Sequence, residues 1–125
     1  MIKYSVEFPI KSSVKILFNA ISTPSGLSEW FADNVNIKND VLTFYWDGSE
    51  QEAIVLRNEK DELIRYQWMD DQDTERYFEF LIQVDEMTKD VSLIITDFAE
   101  DEEDKEEGLL LWDTQIDNLK RSIGI

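Results

Sequence analysis

The C-terminal stretch Gly108-Leu109-Leu110-Leu111-Trp112-Asp113-Thr114-Gln115-Ile116-Asp117-Asn118-Leu119-Lys120-Arg121-Ser122-Ile123-Gly124 decides the architecture. Leu109, Trp112, Ile116, Leu119 and Ile123 recur at three and four residues, the period of a single apolar helical face. Lys120 and Arg121 lie in the last turn, where the helix dipole favours cations, and Gly124 stands where a C-terminal cap is expected. The run Glu100-Asp101-Glu102-Glu103-Asp104-Lys105-Glu106-Glu107 precedes it at the end that favours anions. A glycine inside a helix costs about 1 kcal/mol relative to alanine. The regular helix is therefore expected to begin near Gly108, with the acidic run as a connection leading into it. One stripe cannot hold three consecutive leucines, so Leu110 or Leu111 is expected to face solvent and to offer a contact to a protein partner or a second copy of the chain.

Upstream of this helix, back to Val35, the apolar period is two. Val35–Ile37, Val41–Trp46, Glu52–Asn58, Leu63–Met69, Arg76–Glu86 and Val91–Phe98 read as six strands. Asn39-Asp40 and Asp47-Gly48 are hairpin turns, and the remaining connections are short and polar, which favours an antiparallel meander. Nearer the N-terminus, Tyr4, Val6 and Phe8 alternate within a first strand, Ile2–Pro9. Ser12 or Ser13 caps a helix carrying Val14, Leu17, Phe18 and Ile21. Thr23-Pro24 restarts the chain as a second short helix with Leu27, Trp30 and Phe31 on one side. A sheet with one apolar face needs a cover, and only the C-terminal helix is long enough to cross it. The expected fold is α+β: a curved antiparallel sheet of six to seven strands wrapped around a long C-terminal helix, with two short helices between the first and second strands. No linker or repeat divides residues 1–125, which read as one domain.

Three stretches carry a family resemblance. They are Thr23-Pro24-Ser25-Gly26-Leu27-Ser28-Glu29-Trp30-Phe31; Phe44-Tyr45-Trp46-Asp47-Gly48 with Ala53, Val55 and Tyr66-Gln67-Trp68; and Trp112 followed by Ile116 and Leu119. The chain resembles the START-like, helix-grip superfamily of lipid-transfer domains, polyketide cyclases and the birch-pollen allergen. Within it, the chain is most similar to the domain named after the activator of the heat-shock-protein-90 ATPase. The resemblance implies the helix-grip fold, a hydrophobic ligand held between sheet and helix and, in the narrower group, a chaperone-linked role.

Composition narrows function from the other side. The chain has 125 residues, 28 acidic and 12 basic side chains and a net charge of −16. That surplus opposes binding to nucleic acid or to an anionic membrane surface. With no Cys, thiolate nucleophiles and zinc fingers are excluded. With no His, the usual general base near neutral pH and the commonest metal ligand are missing. No apolar run approaches the roughly 20 residues of a membrane-spanning helix, and no secretory leader is visible at Met1-Ile2-Lys3-Tyr4, so a cytoplasmic location is expected.

Parity places Leu42, Phe44 and Trp46, then Ile64, Tyr66 and Trp68, then Phe78, Phe80, Ile82 and Val84 on the inner face. Ala53 and Val55 share that side, with Trp112, Ile116 and Leu119 opposite and Trp30 and Phe31 closing one end. The expected ligand-lining set is Trp30, Phe44, Trp46, Val55, Tyr66, Trp68, Phe78, Phe80, Trp112 and Ile116. The same side chains equally describe a filled core, in which case the protein is an interaction module. Asp97 shares parity with Leu93 and Ile95 and is the candidate polar handle. An enzyme of the cyclase type would have to rely on such a group, for instance Asp97 with Tyr66. No catalytic set, metal site or cofactor motif is expected: Asp70–Glu75 lacks the glycine and spacing of a calcium loop, and no phosphate-binding glycine pattern is present.

Overall fold

The computed structural model describes residues 1–125. The elements are β1 (Ile2–Pro9), α1 (Val14–Ser22), α2 (Pro24–Leu27), β2 (Asn34–Lys38), β3 (Val41–Trp46), β4 (Ser49–Glu59), β5 (Leu63–Trp68), β6 (Phe78–Val84), β7 (Val91–Ala99) and α3 (Glu102–Ser122), with one 3₁₀ turn at Met69–Asp71. All seven strands form one sheet in the order β1-β7-β6-β5-β4-β3-β2, and every pairing is antiparallel. The meander from β2 to β7 follows from its turns. Asn39 and Asp40 both take positive φ, the left-handed pair that a two-residue hairpin requires, and Lys38 pairs with Val41 across them. Gly48, at φ 77°, closes the next hairpin between Trp46 and Ser49. Leu56 is the extra residue of a bulge in β4, where the register shifts between Val55 and Arg57.

The two short helices form a corner over the inner face. Ser13 Oγ accepts from the Ile16 N–H at 3.2 Å and starts α1. Thr23 serves both helices: its hydroxyl donates to the Asn19 carbonyl at 2.8 Å and accepts the Gly26 N–H at 2.9 Å. The α1–α2 corner is tight enough that a Cβ at Gly26 would stand 2.8 Å from Ala20 Cα. The second helix ends at Leu27, so Trp30 and Phe31 lie on the turn that follows it and not on a helix. Ser28 is the cause, because its hydroxyl donates to the Pro24 carbonyl at 2.7 Å and accepts the Val35 N–H at 2.9 Å, which draws the chain into β2. The Phe31 N–H still bonds the Leu27 carbonyl at 2.9 Å, and Leu27, Trp30 and Phe31 are all buried.

The long helix α3 begins at Glu102, six residues before Gly108, so the acidic run forms its first turns and is not a connection. Asp101 is the cap: its Oδ1 accepts the Asp104 N–H, while Asp104 Oδ2 accepts the Glu100 N–H, both at 2.8 Å. Glu102, Glu103 and Asp104 in the first turn suit the dipole. Trp112, Ile116 and Leu119 face the sheet and are buried, whereas both Leu110 and Leu111 face solvent. No helix of the molecule is long and apolar enough to cross a membrane.

Candidate functional site

The inner face of the sheet supplies alternating side chains from three central strands. Phe44 is paired next to β4, Tyr66 lies opposite Phe78, and Ile64 lies opposite Phe80. Phe44, Tyr66 and Phe80 are fully buried. Their rings interlock with those of Trp46, Trp68 and Phe78: Trp68–Phe78 centroids stand 5.0 Å apart, Tyr66–Phe78 5.2 Å and Phe44–Trp68 5.3 Å. Trp112 of α3 closes over Phe80 at 5.8 Å.

Phe31 sits at the hub of this cluster. Its ring lies 5.3 Å from Trp30, 5.4 Å from Phe44, 5.9 Å from Phe78, 6.0 Å from Trp46, 6.1 Å from Trp112 and 6.4 Å from Phe80. It therefore occupies the space between sheet and helix where a ligand would lie. Phe31 was read from the sequence only as closing one end. No strand or helix period marks it as the hub, because it lies on the turn after α2. Three surface depressions lie elsewhere or at the rim; none of them is lined by Phe44, Tyr66, Trp68, Phe78 or Phe80. One of them, a groove of about 640 Å³, runs between the Ser28–Asp33 turn and α3 and opens beside Phe31 and Trp46, with Gln115, Asn118 and Arg121 on its far wall.

The polar atoms of Trp30, Trp46, Tyr66 and Trp112 are bonded to the protein itself. Trp30 Nε1–H donates to the Ala20 carbonyl at 2.8 Å, and the Tyr66 hydroxyl donates to the Ile21 carbonyl at 2.7 Å. Burial pushes that hydroxyl well above the ordinary phenol range. Trp46 Nε1–H and Gln115 Nε2–H both donate to the Phe31 carbonyl, at 3.1 and 3.4 Å, which ties the turn to β3 and to α3.

Of the expected lining residues, Trp30, Phe44, Tyr66, Phe78, Phe80, Trp112 and Ile116 are buried together, and Trp46 and Trp68 are partly buried against them. Val55 is set apart. It lies opposite Tyr66, hence on the same face, yet it is 38% exposed because nothing covers that part of β4.

Asp97 points inward, beside α3. It lies opposite Tyr4 across β1 and β7, and its Oδ2 accepts the Trp112 Nε1–H at 3.0 Å while Oδ1 accepts the Phe98 N–H at 2.8 Å. Burial lifts its carboxyl above the usual range, against those two hydrogen bonds and the attraction of Arg76. Tyr4 is pushed up to about 12 by burial and by the neighbouring Asp97 charge. Asp97 and Tyr66 commit their polar atoms to different partners, Trp112 and Ile21. No cluster of three or more carboxylates is arranged to hold a metal ion. The Asp70–Glu75 loop is instead folded on itself, with the Thr74 hydroxyl donating to the Asp71 carbonyl at 2.8 Å.

A family model describing the START-like superfamily domain matches residues 1–125. The chain belongs to the START-like superfamily. A Bacteroides fragilis protein of known solution structure is 36% identical, with 98% of this chain and 91% of that one covered, at a TM-score of 0.71. The Aha1 dimer of Colwellia psychrerythraea shares the fold at a TM-score of 0.82 and 16% identity, covering 100% of this chain and 98% of that one. An AHSA1-like protein from Aeromonas hydrophila does so at 0.76 and 16% identity, covering 98% and 92%. Comparison with curated proteins finds no match. The curved antiparallel sheet around a long C-terminal helix, expected from the periodicity, and the helix-grip fold implied by the resemblance both hold for the chain.

Proposed function

We propose that this START-like chain is a non-catalytic binding module that admits a hydrophobic small molecule between the sheet and α3 when Phe31 moves out. The observation that carries this reading is the position of Phe31. It fills the middle of the aromatic cluster, yet it belongs to a short turn and not to a strand or the long helix; only its carbonyl is bonded from β3 and α3, and its ring is held by packing alone. Its displacement would leave a pocket walled by Phe44, Phe78, Phe80 and Trp112, reached from the groove beside Trp46. The ligand would be largely apolar, because the indole and phenol donors of Trp30, Trp46, Tyr66 and Trp112 are already engaged. The net charge of −16 disfavours an anionic head group.

The test is a titration of the isotope-labelled chain with a neutral naphthylamine probe, followed by fluorescence and by NMR. Probe-induced shifts are expected at Trp30, Phe31, Trp46 and Trp112. Phe31→Ala is expected to bind at least about tenfold tighter, since no ring has to be expelled. If the unmodified chain shows no shift at those residues at probe saturation, the reading is overturned.

A second reading, a protein-interaction module with a permanently filled core, is favoured by Leu110 and Leu111, which are 68% and 61% exposed. The Colwellia protein is a dimer, so a second copy of this chain is one occupant to weigh for that face. The charge surrounding these leucines opposes it.

A further inference from the structure

Residues three and four apart are neighbours on a helix surface. Around Leu110 these are Glu106, Glu107, Asp113 and Thr114, all exposed. One turn farther out lie Glu103 and Asp117, also exposed. Leu111 continues the apolar spot toward Glu107 and Thr114. The only exposed basic side chain on α3 is Arg121, about three turns away, and its guanidinium donates to Asn118 Oδ1. The outer face of α3 is thus a pair of leucines ringed by five carboxylates, of which only Asp117, at the far edge, has basic neighbours three and four residues on, Lys120 and Arg121. These leucines make no contribution to the sheet-facing stripe of Trp112, Ile116 and Leu119.

Three occupants can be weighed. A second copy of the chain would set one carboxylate ring against another, on molecules that each carry −16. An anionic membrane surface is opposed by the same charge. Two leucine side chains also present far less than the roughly 800 Å² that a stable interface buries per partner, so most of the contact must come from the surrounding carboxylates. We infer that the outer face of α3 is a docking surface for a basic amphipathic segment of another protein, one that seats apolar side chains over Leu110 and Leu111 and brings Lys or Arg to Glu103, Glu106, Glu107, Asp113 and Asp117. The leucines supply the desolvated centre and the acids supply orientation and on-rate.

The probe is a synthetic amphipathic peptide of leucine and lysine, titrated into the full isotope-labelled chain at physiological salt. Shifts are expected to centre on Glu106 to Thr114. Leu110→Ser with Leu111→Ser is expected to weaken binding at least about tenfold, and Glu107→Lys with Asp113→Lys by a similar factor. Both pairs are exposed, and unchanged thermal midpoints will show that the fold is intact. A lysine peptide of equal charge without leucine is expected to bind at least about tenfold more weakly. The inference fails if that peptide binds equally well, if the shifts spread over every acidic loop, or if sedimentation shows a dimer with these same leucines at its interface.

Discussion

At Gly108 a residue that weakens a helix is retained because a side chain from another element needs its space. A Cβ built there falls within the van der Waals envelope of the Tyr4 hydroxyl and 3.3 Å from Tyr4 Cζ. Tyr4 is 6% exposed and lies opposite Asp97, whose carboxylate holds Trp112 of α3. Gly108→Ala sets a helix-propensity gain of about 1 kcal/mol against overpacking at a buried contact, which typically costs 1–3 kcal/mol. The net expectation is a loss of stability of about 1 kcal/mol, read from urea unfolding. Tyr4→Phe removes the obstructing oxygen. In the double variant the loss from Gly108→Ala is therefore expected to shrink, and additivity between the two changes would refute the contact.

At the scale of elements, the start of α3 is the place where local electrostatics and local propensity disagree, and electrostatics decides. The glycine suggested a late start, but the Asp101 carboxylate accepts an orphan N–H of the first turn, Asp104 reaches back to the Glu100 N–H before the cap, and three acids meet the positive end of the dipole. Asp101→Ala is expected to cost about 1 kcal/mol. The loss should appear as faster hydrogen exchange at Glu102 to Glu106 with little change near Trp112; uniform loss along α3 would count against an end effect. Most strands were legible because each has one buried face and a turn whose residues take positive φ, as at Asn39 and Asp40. The aromatic face was legible for the same reason of parity. The hub position of Phe31 was not, because it depends on Ser28 ending α2 and aiming the turn under the sheet, a tertiary outcome that no period of two or 3.6 encodes. Nor was the exposure of Val55, which depends on where the helices stop covering β4.

For the whole molecule, the absence of histidine makes the pH dependence unusually simple, since carboxylates are the side chains that titrate between pH 4 and 7. The folded chain carries −16 near neutrality, and compaction brings those charges closer than they are in the unfolded ensemble. Proton uptake therefore favours the folded state. Asp97 acts in the same direction: its carboxyl is raised above its ordinary 3.8, so the stability it contributes is full below that value and is lost as pH rises through the raised one. Asp85 acts oppositely. The Thr88 and Met87 N–H groups hold its carboxyl below 3.8, so its contribution is present above that value and is lost only in stronger acid. As the pH is lowered from 7 toward the raised Asp97 value the first two effects act without the third, which enters only below 3.8. The urea midpoint is expected to rise as pH is lowered through that window, and to rise with added salt at pH 7, where screening weakens the repulsion. Asp97→Asn keeps an acceptor for Trp112 without the charge, so relative to the unmodified chain it is expected to gain at pH 7, to lose that gain as pH falls below the raised Asp97 value, and to show a flatter pH profile. A midpoint that falls on acidification through this range, or an Asp97→Asn profile as steep as that of the unmodified chain, would show that neither the net charge nor the buried carboxyl governs stability in this fold.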